Sequence, residues 1–255
     1  VGGFYRVGEG ARTTGTNDGG GQIKLNFTKE LANGHVRVYV KAIDDTAPTY
    51  LPAPAGVSGA SSYGDLSGFD VLTGSLYTPN LTTDPSVDTH GNPVTRHFNG
   101  IHTKVFSLGA ELVVSPMENL TITDRVRVSS QSAQWGAPFP ASVRTVADTI
   151  AAYAPTFVGT SRLIYGSGPN KGQNVATNTL VTAVHAFSTD ASDLGWMGND
   201  LKINKFVNLG EGRKLDFTLG YYTSQQKIVQ DWTWAAYLLE TKGENANTLN
   251  LANAA

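Results

Sequence analysis

Three pairs of alternating apolar and polar segments decide the fold of this chain. The first pair is QIKLNFT at residues 22–28 and HVRVYVKA at residues 35–42, joined by the short turn ANG at residues 32–34. The other pairs are residues 106–112 and 120–128, turning at 116–119, and residues 201–209 and 214–221, turning at 210–213. Because successive side chains of a strand point to opposite faces, each segment has one apolar face and one polar face. The pattern predicts three antiparallel hairpins.

Composition narrows the class of protein. Charged residues make up only 16% of the 255 residues, compared with about 25% in soluble domains, and the 28 glycines exceed the usual share of about 7%. Few charges and many glycines are typical of short strands and turns. The formal net charge of −2 leaves no basic surface for nucleic acid, so we expect no nucleic-acid partner.

The absence of cysteine removes disulfides and thiolate chemistry, which suits a protein exposed to the periplasm. No run approaches the roughly 20 apolar residues of a membrane-spanning helix, but barrel strands need only about 9–11 alternating residues. The chain begins VGGF, with neither an initiator methionine nor a signal peptide, and ends in small residues. We therefore expect a fragment or a processed product.

Loop lengths favour a membrane barrel over a soluble β-sandwich. A sandwich has turns every 8–12 residues or so, whereas long stretches run here from about residue 46 to 101 and from about 135 to 199. Outer-membrane barrels combine short periplasmic turns with long extracellular loops. The sequence therefore predicts an all-β, antiparallel transmembrane β-barrel, with the three short turns at the periplasmic rim and the long stretches outside the cell.

The charges follow the same alternation. In the predicted hairpins, alternate residues of each strand face lipid and the residues between them face the lumen. An Arg or Lys on the lipid side at mid-depth would cost about 2–4 kcal/mol. Asp124 is the exception, because it shares the parity of its apolar neighbours and needs a bulge or a rim position. The charges expected to face the lumen are Lys24, Lys41, Arg125, Arg127, Lys202, Lys214 and Asp216.

A further strand at residues 3–12 brings the total to about seven. Such a set cannot close into a barrel by itself, and an open edge in lipid would leave backbone groups unsatisfied at several kcal/mol each. The sequence therefore predicts a partial barrel, whose remaining wall is missing or supplied by another chain.

The order of several short motifs resembles the early barrel strands of TonB-dependent outer-membrane receptors. The motifs are GFYR at 3–6, GARTTG at 10–15, GGQIKLN at 20–26, GHVRVYVK at 34–41, DDT at 44–46 and YLP at 50–52. A later pair, NDLKINK at 199–205 and LGYY at 219–222, is similar to a further hairpin of the same family. Together these motifs are distributed over nearly the whole chain, from residue 3 to residue 222.

This resemblance implies a function. Such receptors have barrels of about 22 strands that are plugged by an N-terminal globular domain, and they import scarce nutrients with energy passed through TonB. Residues 1–255 would then be a partial barrel domain in the outer membrane of a Gram-negative bacterium, in contact with outer-membrane lipid and a small-molecule nutrient. Contact with TonB would pass through the N-terminal plug, which this chain lacks.

The sequence favours no enzymatic chemistry. Its five histidines are scattered, without the spacing of metal ligands, and no G-x-S-x-G motif marks a nucleophile. The glycines at 19–21 precede a strand rather than a helix, so they do not form a phosphate loop. We therefore expect no catalytic residues, no metal and no cofactor, and we expect that the protein is not an enzyme.

Aromatic residues in the long loops are the candidates for ligand recognition. Rings flanked by amides and carboxylates suit sugars or other polar organic ligands, whereas anionic iron chelates need clustered Arg or Lys. The same rings could instead pack the loops together or form an interfacial girdle. A helix at residues 141–150 is predicted over the barrel mouth. The candidate ligand-binding residues are Arg12, Tyr50, Tyr63, Tyr77, Trp135, Phe139, Trp196, Trp232 and Trp234.

Two other functions remain open at this stage. A passive porin-like channel would have a similar wall but no plug. A soluble, secreted β-rich binding module would show the same alternation with its apolar faces sealed in a protein core. The nutrient itself, carbohydrate-like or a siderophore, is left open as well.

Overall fold

The computed structural model describes residues 1–12, 14, 18–50, 52–88, 90–98, 100–155 and 161–253. Thr13, Gly15 and Leu51, from the motifs quoted above, lie outside these residues. The described strands are β1 (Gly2–Gly8), β2 (Asp18–Leu31), β3 (Gly34–Ala47), β4 (Gly56–Ser58), β5 (Ser62–Gly64), β6 (Thr83–Val87), β7 (Pro93–His97), β8 (Gly100–Met117), β9 (Leu120–Thr145), β10 (Ser161–Tyr165), β11 (Leu180–Asp193), β12 (Trp196–Gly210), β13 (Arg213–Gln226), β14 (Val229–Glu240) and β15 (Thr248–Asn253). Helix α1 spans Val146–Tyr153.

Eleven of these strands form one antiparallel sheet, in the order β1-β2-β3-β8-β9-β11-β14-β15-β10, with β12 paired to β9 and to β13. The short hairpins β4–β5 and β6–β7 are separate. Within the described residues, β1 pairs only with β2 and β13 only with β12, so each has a free edge. The prediction of an all-β, antiparallel protein is confirmed.

Several strands are halves of one longer path. β11 and β12 both pair with β9 and are separated only by Leu194 and Gly195. β13 and β14 are likewise separated only by Lys227 and Ile228. Counted as paths, β1, β2, β3, β8, β9, β11–β12 and β13–β14 make seven, as the sequence predicts, while β10 and β15 are additional.

The three predicted hairpin turns are confirmed. β2 and β3 turn at Asn33, β8 and β9 at Asn119, and β12 and β13 at Glu211–Gly212. Asn119 and Gly212 have φ of 57° and 77°, a left-handed conformation that Asn and Gly adopt more readily than other residues. The registers align all three turns at one edge, called here the turn end of the sheet.

The predicted loop between about residues 135 and 199 is wrong. β9 continues to Thr145, and β11 runs beside it from Leu180 to Asp193. Both faces of this part of β11 are largely buried, so its sequence lacks the alternation that identified the other strands. The predicted helix at 141–150 begins later, at Val146, because residues 142–145 still pair with β11 and Thr145 caps the helix.

The joint at residues 194–195 changes which side chains share a face. In β12, Trp196 lies opposite Ser129 of β9, whereas in β11 Thr189 lies opposite Trp135. Ser129 and Trp135 are both odd-numbered residues, and β9 pairs with β8 without a register shift between them. Even residues of β12 and odd residues of β11 therefore point the same way.

In the part of the sheet nearest the turn end, one of the two faces carries an uncovered band of apolar side chains, called here the apolar band. Ile23, Leu108 and Leu219 in this band are 47%, 44% and 72% exposed. No second sheet covers these side chains within the described residues, which differs from a sandwich core. The apolar band consists of Ile23, Leu25, Phe27, Val36, Val38, Val40, Phe106, Leu108, Leu112, Val126, Val128, Leu201, Ile203, Leu215, Phe217, Leu219 and Tyr221.

Asp124 interrupts the apolar band. Asp124 itself stays in register opposite Leu112 and Leu201, and the expected irregularity lies nearby, between Val114 and Met117 of β8. Its Oδ1 instead accepts a hydrogen bond from Asn199 Nδ2 on the same face at 2.6 Å.

Farther from the turn end, two hydrophobic cores cover the sheet. The first packs Phe69, Leu76, Leu81 and Phe98 of the excursion between β3 and β8 against Val184, Ala186 and Leu239. The second packs Val146 and Ile150 of α1 with Leu163, Val175, Val181 and Leu249. The even and odd residues of β11 point to opposite faces, so the two cores cover opposite faces of the extended strands. None of the helices in the described residues has the length and hydropathy to cross a membrane.

Candidate functional site

A row of alternating charges crosses four strands on the face opposite the apolar band. Arg37 of β3 lies opposite Glu111 of β8, Glu111 opposite Arg125 of β9, and Arg125 opposite Asp200 of β12. Directly paired residues of antiparallel strands share a face, so these four side chains form one line. This face is called the charged face below.

Glu111 is the centre of this row. Its carboxylate lies 2.6 Å from Arg125 Nε, 3.6 Å from Arg37 Nη1 and 3.3 Å from His35 Nε2. Its side chain is only 12% exposed although it lies on a sheet surface. The row therefore neutralises its own charges and offers no single-signed patch to an ion.

The seven charges expected on the lumen side all lie on the charged face. Lys24 is opposite Lys41 across β2 and β3, and Arg127 follows Arg125 two residues along β9. Lys202 lies opposite Thr123. Thr123 is two residues before Arg125 on β9 and therefore lies on the same face. Lys214 and Asp216 share this parity on β13. The alternation predicted from the sequence is confirmed across these strands.

Farther along the charged face, the charges give way to aromatic rings. Trp135 is opposite Thr189, which is opposite Trp232; in the next row Phe187 is opposite Trp234. From Arg125 to Trp135 is ten residues along β9, or about 34 Å at roughly 3.4 Å per residue. The aromatic cluster is defined here as Trp135, Phe139, His185, Phe187, Trp232 and Trp234.

Phe187 is the hub of the aromatic cluster. Its ring centroid lies 5.1 Å from Trp135, 4.5 Å from Trp234 and 5.2 Å from Trp232, in tilted or edge-to-face arrangements that aromatic pairs favour. Phe187 itself is 4% exposed, whereas Trp232 and Trp234 are each 64% exposed. A buried ring thus supports two open indole faces.

Four of the nine sequence-predicted ligand residues therefore come together: Trp135, Phe139, Trp232 and Trp234. Sequence reasoning missed Phe187 and His185, because it assigned their strand to a loop. The signal that could have found them is the spacing of His185, Phe187 and Thr189 at every second residue, which places all three on one face of a strand.

Tyr77 lies on the face of the sheet opposite the aromatic cluster, and its contacts are structural. Its hydroxyl donates a hydrogen bond to Gly136 O at 2.8 Å and lies 2.8 Å from Thr49 Oγ1. Burial raises the pKa of this phenol. Tyr77 holds the excursion between β3 and β8 against β9 and presents no ring to a ligand.

Arg12 and Tyr50 contact each other and do not point into an open site. The Arg12 guanidinium lies 5.4 Å from the centroid of the Tyr50 ring and donates to Gly74 O, while the Tyr50 hydroxyl accepts from Ala11 N–H at 2.8 Å. This contact ties the connection between β1 and β2 to the excursion between β3 and β8.

The remaining two candidates lie apart from the cluster. Tyr63 is 75% exposed in the β4–β5 hairpin. Trp196 is at the joint between β11 and β12, where it lines an open groove of about 520 Å³ with Phe106, Val128 and Met197. Neither has a partner in the aromatic cluster.

Within the described residues there is no group of three or more His, Asp or Glu side chains that could hold a metal ion. The comparisons with known proteins add no relative: neither a protein-family model nor a curated protein nor a solved structure matches this chain.

Proposed function

We propose that this chain is part of the wall of an outer-membrane β-barrel that works as a TonB-dependent receptor for a small-molecule nutrient in a Gram-negative bacterium. The observation that carries the proposal is the uncovered apolar band, with a row of charges behind it. Contiguous apolar surface of this extent on a folded protein marks a membrane or a protein partner. Outer-membrane lipid would cover the band.

The height of the apolar band supports this reading. In β8 the face that carries the band is apolar from Phe106 through Leu112 to Val114, which is eight residue steps or about 27 Å along the strand. At the tilt of about 40° usual in barrels, this corresponds to roughly 21 Å, close to the ~25 Å apolar belt of outer-membrane proteins.

Polar groups mark both borders of the band on the same face. On the side away from the turns, Asp44 lies 2.7 Å from His102 Nε2 and 3.6 Å from Lys104 Nζ. On the turn side, Lys205 donates from Nζ to Glu118 O at 3.0 Å. Such borders match the two interfaces of a bilayer, where charges return to water.

The free edges of β1 and β13 support a larger barrel. In hydrocarbon, each unpaired backbone group costs several kcal/mol, so both edges need neighbouring strands. The proposed receptor supplies them from the rest of its barrel, and its N-terminal plug would contact TonB. The charges of the row alternate in sign, so the row itself gives nucleic acid no basic footprint.

A matched pair of substitutions in β8 tests the membrane assignment, because Leu108 and Ser107 are neighbours that point to opposite faces. Leu108→Arg would place a charge in lipid at about 2–4 kcal/mol, and we expect loss of the heat-resistant folded form from the outer-membrane fraction. Ser107→Arg, on the charged face, should insert as the unchanged protein does. Equal behaviour of both variants, or recovery of folded protein without detergent, would refute the proposal and favour the soluble module.

Energised transport is tested separately. In cells carrying the complete receptor, uptake of its nutrient should stop when the proton gradient is collapsed, because TonB draws on that gradient. A porin-like channel would instead continue to pass solute and would conduct ions in a planar bilayer.

A further inference from the structure

A small pocket lies on the charged face next to the aromatic cluster. It has a volume of about 150 Å³, and its floor is formed by the short side chains of Ala183 and Ala236. Tyr153 of α1 and Leu251 of β15 form its walls. Ala183 lies next to His185 on one face of β11 and Ala236 next to Trp234 on β14, each two residues along, so short side chains come next to the rings on this face.

The pocket and the cluster are continuous through His185, which lines the pocket and lies edge-on to Trp234 at 5.9 Å with an interplanar angle of 87°. His185 is opposite Ala236 in the ladder, directly beside the row of Phe187 and Trp234. A ligand seated in the pocket can therefore extend over the open indole faces without crossing a charged group.

The lining selects for an uncharged apolar group. None of the residues that line this pocket is Asp, Glu, Lys or Arg, and its surface is predominantly hydrocarbon. A volume of about 150 Å³ accommodates a benzene-sized ring, and the pocket is open to solvent, since Tyr153 and Leu251 in its lining are 47% and 42% exposed. An ionised group seated against this lining would lose water contacts without gaining a Lys, Arg, Asp or Glu partner among the lining residues.

We infer that this pocket takes an uncharged aromatic ring, while the rest of the ligand lies along Trp234 and Trp232. The inference names the chemical class of the nutrient and rests on the receptor function proposed above. It favours neutral aryl compounds, such as aryl glycosides, over anionic iron chelates.

The test is a titration of the purified full-length chain in detergent with phenyl β-glucoside, followed by tryptophan fluorescence and calorimetry. Methyl β-glucoside, which lacks the aromatic ring, and benzoate, which carries a charge, are the comparison ligands. Phenyl β-glucoside should bind about ten-fold more tightly than either. Equal affinity for all three, or a preference for benzoate, would overturn the inference.

Substitutions in the pocket and in the aromatic cluster test where phenyl β-glucoside binds. Ala236→Leu fills the pocket and should abolish the preference for the aryl compound, and Trp234→Ala should weaken binding about ten-fold. Trp234 is 64% exposed, so its removal disturbs the fold less than removal of a buried ring would. Tyr63→Ala, an equally exposed aromatic far from the pocket, should change nothing. Unchanged binding by Ala236→Leu and Trp234→Ala would refute the site.

The two proposals can fail separately. Protein that inserts into the outer membrane but does not bind phenyl β-glucoside overturns the pocket inference and leaves the receptor function standing. Protein that binds phenyl β-glucoside but is folded and soluble without detergent overturns the receptor function and supports the pocket.

Discussion

Asn199 Nδ2 donates a hydrogen bond to Asp124 Oδ1 at 2.6 Å, on the face of the sheet that is otherwise apolar. The two residues belong to neighbouring strands and are diagonal to each other, since Asp124 is opposite Leu201 and Asn199 is opposite Val126. The pair satisfies a carboxylate where a lone one would be costly.

We predict that Asn199→Leu destabilises the protein by about 1–3 kcal/mol, because it leaves the Asp124 carboxylate without this donor. Unfolding in detergent micelles, followed by the mobility of the folded form on gels, measures the change. The double variant Asn199→Leu/Asp124→Leu should recover most of the loss, since replacing both partners by apolar groups is nearly neutral. Equal losses in the single and double variants would contradict this account.

The charge row makes a second prediction. Glu111→Gln should lower the free energy of unfolding by about 1–3 kcal/mol, because Arg37, Arg125 and His35 lose their shared carboxylate. Glu118→Gln, in the exposed turn between β8 and β9, is the control and should shift it by less than about 0.5 kcal/mol. Urea unfolding in detergent compares the two, and a larger effect at Glu118 would refute the role of the row.

Asp70 should make the excursion between β3 and β8 sensitive to acid. Hydrogen bonds from the backbone N–H groups of Thr73 and Leu72 hold the pKa of its carboxyl below the ordinary value of 3.8. Because the folded pKa is lowered, the stabilisation is complete above the unfolded pKa and is lost as the pH falls through the folded one.

The measurement is an NMR titration of the Asp70 carboxyl, which should have a midpoint below 3.8. Pepsin cleavage near this turn should rise over the same pH range. Asp70→Asn has no titrating group and should lose that pH dependence; an unchanged pH profile in this variant would assign the effect to another residue.

Tyr77 yields a prediction about the covering excursion. Tyr77→Phe removes the hydrogen bonds to Gly136 O and Thr49 Oγ1, so the excursion should be held less tightly, by about 1 kcal/mol. Limited proteolysis of residues 52–98 should become faster. Tyr63→Phe, whose ring is exposed, serves as the control and should leave the cleavage rate unchanged.

The sequence was informative where one face of a strand is apolar and the other polar. The hairpin of Ile23 and Val38 and the hairpin of Leu201 and Leu219 were predicted correctly because their alternation is strict. Asn119 and Gly212 marked their turns because a left-handed backbone favours these residue types.

The sequence was uninformative where both faces of a strand are covered. Val184 and Ala186 pack under the excursion between β3 and β8, while Val181, on the other face, packs against α1, so β11 reads as a mixed run without period. The contact of Trp135 and Trp234 with the same ring, Phe187, joins two strands separated by about a hundred residues. No local pattern encodes that contact, although the individual rings were candidates.

The joint at residues 194–195 allows the two halves of the sheet to change independently. Leu194 N–H donates to Gln131 O and Gly195 N–H to Asp193 Oδ1, so the reversal of alternation is absorbed locally. Gain or loss of one residue at this joint would move Phe187 of β11 to the opposite face of the sheet. The hairpin of β12 and β13 would be unaffected. The strands that carry the aromatic cluster can therefore vary in sequence while the hairpins that carry the apolar band stay unchanged.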